Sequence, residues 1–279
     1  MAAAVLRPYD VDLFNGIPSL GEANEQFLAH NGPEVIILSL WKLFSKYKLT
    51  DQYGPVLVHR HWPASLNEAV VDVNGTSTAW TLEAGEQTGM LQFEKYERPI
   101  KPSSWMMVKG QLMPYEFYFA SQKEHDEPAP LDSAFVQEFA SILEANSLLD
   151  FVGIRLLRHT GQKVLEVTEG NANVTFPVTD DDQNLLEKNA IQAGWKFPSA
   201  EPPDFSSDTS GNMGDRSPWS QACKQLCKQS CSIICRKPSQ GGSHMRVHLG
   251  GHSKTHGKTN TERTLPSLRE DGLAWPREE

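Results

Sequence analysis

The first 222 residues of this 279-residue chain contain no cysteine. That stretch can hold no disulfide framework, no thiolate metal site and no cysteine nucleophile. No segment approaches the roughly 18 consecutive apolar residues that a bilayer span requires. The N-terminus has a small apolar patch but no basic stretch before it, so it reads as a cytosolic start and not a signal peptide. The expected location is cytoplasmic, with the nucleus also open. Also missing are a Gly-rich nucleotide loop, a Gly-x-Ser-x-Gly elbow and a His-Glu-x-x-His helix. Near the C-terminus, GHSKTHGKT places five residues between Gly251 and Gly257 where a phosphate loop has four. No strand-like run precedes it, so no nucleotide cofactor is expected. The missing catalytic signatures favour a non-enzymatic role.

Apolar residues are also scarce, at 39%, and the mean hydropathy is −0.45. Globular chains carry nearer 45–50%, so part of this chain is expected to lie outside any core. The net charge of −9 is uneven. Residues 1–199 carry 15 basic and 26 acidic side chains, whereas residues 216–263 carry nine basic and one acidic. An acidic body followed by a basic tail suits an interaction tail, or a tail that docks on the body.

Within residues 1–196 the patterning predicts an α+β body. Residues 34–49 have helical spacing, with Val35, Leu38, Leu40, Trp41, Leu43, Phe44 and Tyr47 on a broad apolar stripe. A turn and a short strand follow in DQYGPVLVHRHW. EAVVDVNGTSTAW then reads as a hairpin about its Asn-Gly turn. The same order returns from residue 132. DSAFVQEFASILEANSL is a helix with Asp132 or Ser133 as N-cap and Phe135, Phe139, Ile142 and Leu143 on one face. DFVGIRLLRH then parallels DQYGPVLVHRH, with Asp51 and Gly54 matching Asp150 and Gly153. A second hairpin follows in QKVLEVTEGNANVTF. Two copies of an α-β-β unit, at about 34–82 and 132–178, would join their hairpins in one antiparallel sheet with both helices on one face. Between them, residues 104–121 read as another hairpin turning near Gly110, with Tyr115, Phe117 and Phe119 on one strand face. Residues 180–195 read as acidic capping residues and a short closing helix. Beyond the body, residues 197–222 read as a flexible linker and 257–279 as a disordered C-terminus, because Pro, Ser, Asp and Gly replace any periodicity.

Between these two segments lies a Cys/His block, residues 223–256. Cys223, Cys227, Cys231 and Cys235 are each four apart, and so are His244, His248, His252 and His256. Four thiolates and four imidazoles form a natural zinc ligand set. Neighbours four apart meet on a helical face, although the face drifts about 40° per step. The string Cys231-x3-Cys235-x12-His248-x3-His252 resembles the Cys2His2 zinc finger in spacing, as does Cys227-x3-Cys231-x12-His244-x3-His248. Polar residues, Gly and Pro stand where a finger carries its aromatic and Leu core, so sequence-specific DNA reading does not follow. Three readings of the block stand side by side: zinc binding, S-acylation of cysteines beside basic residues, or biased sequence with no role.

In the body, Val58-His59-Arg60-His61 is the motif with chemistry. On a strand, His59 and His61 point to one face. They could bind metal or share acid–base work, with Glu68 opposite on the next strand. A strand end emerging into solvent would carry the same residues without a role. The run Tyr53-Gly54-Pro55-Val56-Leu57-Val58-His59-Arg60-His61, with the Cys/His-rich end, resembles a group of filamentous-fungal proteins. The resemblance implies an intracellular protein and carries over no activity or catalytic residue.

Three functions follow as expectations. The first is an interaction or regulatory protein with an unidentified protein partner and a zinc-binding tail. The second is an enzyme working from the His59/His61 face. The third is nucleic-acid binding through the basic tail, which lacks interleaved aromatics and is not favoured.

Overall fold

The structure is a computed structural model that describes residues 4, 6–66, 68–73, 75–81, 100–120, 128–157, 164–169, 171–177, 190–198 and 231–236. It is an α+β fold in which the sheet curls into a closed barrel. The strands are β1 (Tyr53–Leu57), β2 (Glu68–Val73), β3 (Thr76–Thr81), β4 (Ile100–Val108), β5 (Gln111–Phe119), β6 (Val152–Leu156), β7 (Val164–Glu169), β8 (Ala172–Pro177), β9 (Ala190–Trp195) and β10 (Cys231–Arg236). Their circular order is β1-β6-β4-β5-β2-β3-β8-β7-β10-β9. Most neighbours are antiparallel, as expected, but β2 pairs with β5 and β7 with β10 in parallel. Among the described residues, no helix is long and apolar enough to cross a membrane.

The helices are α1 (Val11–Asn15), α2 (Leu20–Ala29), α3 (Gly32–Val35), α4 (Trp41–Lys46) and α5 (Ser133–Ala145). They pack on the sheet through two clusters, α1 beside Val58, Val70 and Tyr115 and the others in the main core. Asp132 caps α5 by accepting from the Ala134 amide, as its position predicts. Ser19 and Glu22 form a reciprocal capping box at α2. The helix expected at 34–49 is not regular, because a π-helical stretch, Ile36–Leu40, joins α3 to α4. Its wider turn rotates the buried face. Ile36 and Ile37 are consequently buried, while Leu38 and Tyr47 are only half-buried. Phe44 packs edge-on against Phe135 at 5.1 Å, which ties α4 to α5. Fully burying Phe44, Phe135 and Phe139 stabilises the fold by about 1.5–3 kcal/mol each.

The closing helix expected at 180–195 is corrected in its second half. Ala190–Trp195 is a strand with Ile191, Ala193 and Trp195 buried against the helices. Those residues alternate with period two, which a strand uses and a helix does not. Residues 178–189 lie outside the described residues. The hairpin near Gly110 forms as expected. Lys109 and Gly110 both take positive φ, 51° and 77°, at its two-residue turn.

The pairing scheme maps onto itself. Exchanging β1–β5 for β6–β10 in order returns the same circular sequence of strands. Both helix-to-strand corners are built alike. Lys48 and Ser147 take left-handed φ of 57° and 56°. The Leu49 amide bonds the Phe44 carbonyl, and the Leu148 amide bonds that of Leu143. Val58 donates to Phe151 across the β1–β6 pair, and Leu157 donates to Gln52. Gly54 and Gly153 lie on these two strands, where a Cβ would overlap the carbonyl oxygens of Trp195 and Trp105 respectively. Only glycine admits that close backbone approach.

This geometry sorts the side chains. On β6, Val152, Ile154 and Leu156 join the core beneath the helices. Arg155 alternates with them and therefore faces the barrel interior.

Candidate metal centre

His59 and His61 follow the end of β1, where the chain is pinned on its outer side. The Arg60 amide donates to the Pro18 carbonyl at 3.0 Å, and its guanidinium donates to the Asn15 carbonyl at the end of α1. With Arg60 held there, its two neighbours turn inward. Both imidazoles are buried, with ring centroids 4.8 Å apart. They do not emerge into solvent.

Three further charged groups meet them. Glu116 comes from β5, Arg155 from β6 and Glu166 from β7. Arg155 Nη1 donates to Glu166 Oε1 at 3.0 Å and lies 3.8 Å from Glu116 Oε2. The Ser104 hydroxyl donates to Glu116 Oε2 at 2.6 Å. His61 Nε2 stands 3.6 Å from Glu166 Oε2 and 3.8 Å from Glu116 Oε1. One donor atom from each of His59, His61 and Glu166 lies within 4.8 Å of the others.

The hydrogen bonds constrain the tautomers. His59 Nδ1 is 2.8 Å from the Leu57 carbonyl, which only accepts, so Nδ1 carries the proton and Nε2 the lone pair of the neutral ring. His61 Nδ1 is 2.7 Å from Thr168 Oγ1, which lies 3.3 Å from Asn173 Oδ1. With the Thr168 hydroxyl donating to Asn173, it accepts from His61 Nδ1. In that arrangement the His61 lone pair is also on Nε2. That atom is buried and has no hydrogen-bond partner among the described residues. Burial, reinforced by His59 and Arg155 and opposed by Glu166, pushes the His61 pKa down to about 3. Its ring is therefore neutral near pH 7. Burial also pushes the Glu116 carboxyl up, against the pull of Arg155. Arg155 itself loses by burial but gains more from Glu166 and Glu116, so its charge is secure.

A buried nitrogen lone pair thus faces two carboxylate oxygens at distances too long for hydrogen bonds. His59, His61 and Glu166 together can hold a cation between them. A divalent metal about 2.0–2.2 Å from each donor would bring these atoms to about 3.0–3.5 Å apart. The observed 3.6 Å between His61 and Glu166 is close to that.

Compared with protein families, curated proteins and solved structures, the chain matches none. The likeness to a fungal group therefore rests on the short strand motif and the Cys/His-rich end quoted above.

Of the residues singled out from sequence, His59 and His61 come together. Glu68 does not join them. Its carboxylate accepts from the Ser65 amide at 2.8 Å, at the start of β2. Cys231–Arg236 forms β10, whose backbone pairs with β7 and β9. The helical-face argument therefore does not apply between Cys231 and Cys235. Cys223, Cys227, His244, His248, His252 and His256 lie outside the described residues. Sequence reasoning missed Glu116, Arg155, Glu166, Ser104 and Thr168. For Arg155 and Glu116 the signal was a lone charge inside an otherwise apolar strand, as in VGIRL and PYEFYF.

Proposed function

We propose that this protein binds a divalent first-row metal ion inside its barrel, through Nε2 of His59, Nε2 of His61 and a carboxylate oxygen of Glu166. The observation that carries this is the buried, unpartnered Nε2 of His61 beside two carboxylates. Two imidazoles and one carboxylate form a donor set that suits zinc and iron(II). Three protein donors leave a coordination position open, which is the pattern of a working centre and not of a purely structural one. The sequence-based expectation of an enzyme on the His59/His61 face uses the same residues, with Glu166 in place of Glu68. A zinc-binding interaction tail is a separate proposal, to which the barrel adds nothing.

The fold's self-mapping supports a further part of this reading, that the body is a duplicated α-β-β unit. By the pairing register, Arg155 corresponds to Val56 and Glu166 to Val70. Both valines are buried. One half therefore holds apolar residues where the other holds an ion pair. An ion pair the fold required for itself would be expected in both halves, so the presence of Arg155–Glu166 in one points to binding.

The test is zinc stoichiometry after equilibrium dialysis. The full chain should hold one zinc more than either His61→Ala or Glu166→Gln. Any tail site would be retained by all three. Equal stoichiometry would sink the proposal.

A further inference from the structure

We infer that the ligand of this centre is a small carboxylate, held between the metal's open position and the Arg155 guanidinium. This rests on the metal reading above and deepens it.

Glu166 shows the span. Its Oε1 takes the Arg155 hydrogen bond at 3.0 Å, while its Oε2 is the oxygen nearest His61 Nε2. The guanidinium and the metal position thus lie on two sides of one carboxylate group. A second carboxylate can bridge the same two cationic centres. Glu116 stands in that relation but too far back, with one oxygen 3.8 Å from His61 Nε2 and the other 3.8 Å from Arg155 Nη1. The Ser104 hydroxyl at 2.6 Å holds it there. Among the described residues, the pair of cationic centres is therefore closely contacted by a single protein carboxylate.

Arg155 also sits on the accessible side. Its side chain is 22% exposed, against 14% for Glu116, 7% for His61 and 2% for Glu166. A guanidinium carries five N–H donors in a planar fork that matches a carboxylate. Among the described residues, only Nη1 of Arg155 is engaged. The charge balance selects the ligand class. Glu116 and Glu166 already crowd the site, and Asp72 lies close enough to act on Arg155. A monoanion adds little repulsion there, whereas a phosphate dianion adds more.

Cobalt(II) is the probe. The cobalt-loaded full chain is titrated with acetate and, separately, with inorganic phosphate. The visible spectrum is read against a cobalt-treated His61→Ala reference, which subtracts ion bound elsewhere. Acetate should change the spectrum saturably and bind more tightly than phosphate. Arg155→Gln should weaken acetate at least tenfold, and Arg155→Lys, which keeps the charge but loses the fork, by less. Retained cobalt with a spectrum indifferent to acetate would overturn this inference alone. So would equal acetate affinity in all three chains, or tighter phosphate binding. Failure of cobalt to bind at the centre would overturn the metal reading as well.

Discussion

Arg155→Val should destabilise the protein by about 3–5 kcal/mol, because it leaves the Glu116 and Glu166 carboxylates inside the barrel without their cation. For a body of this size the loss corresponds to a fall of about 6–20 °C in Tm. The informative comparison is the triple variant Arg155→Val/Glu166→Val/Glu116→Gln. Removing a buried ion network whole is often neutral or stabilising, whereas removing one member is costly. Val56 and Val70 already occupy the corresponding buried positions in the other half. The triple variant should therefore recover most of the lost stability in thermal or urea denaturation, while binding no metal in the barrel. A triple variant as unstable as the single one would mean that the network holds up the fold. The argument from asymmetry would then fail.

The second large effect is on acid stability. His61 titrates near 6.5 in an unfolded chain, but burial lowers it to about 3 in the folded protein. Between those values the unfolded state binds the extra proton, so folding stability rises with pH across the window. The contribution is complete above about pH 6.5 and is lost toward pH 3, at roughly 1.4 kcal/mol per pH unit. Glu116 acts in the opposite sense. Its folded pKa is raised, so its contribution is present at low pH and is lost as pH rises through that value. Comparing the wild type with His61→Gln, which cannot titrate, isolates the histidine. The wild type should lose stability more steeply between pH 6.5 and pH 4. Parallel pH profiles would show that His61 is not held neutral by burial.

Local signals in this chain were legible and long-range ones were not. Asp132 announced α5, and the Asn-Gly and Gly110 turns announced their hairpins, because capping and turn chemistry act within a few residues. The Ser19–Glu22 capping box was equally local and could have revealed α2. The π-helical stretch at 36–40 was hidden, since an apolar run such as VIILSLW suits several helical registers. Closure of the barrel depends on pairings such as Thr76 with Val174, which no short window contains. The same limit governed the site. His59 and His61 share a sequence motif, so alternation alone brought them together. Glu166 is more than 100 residues away and is delivered by the β7–β8 hairpin. Glu68 was the nearest carboxylate in sequence, and the fold uses it to hold the Ser65 amide.

The most direct test of the metal centre is a crystal structure of the zinc-loaded full chain, with diffraction recorded on both sides of the zinc absorption edge. An anomalous peak about 2.0–2.2 Å from His59 Nε2, His61 Nε2 and a Glu166 oxygen is the predicted result. Zinc bound only elsewhere, with His61 Nε2 still without a partner, would contradict it.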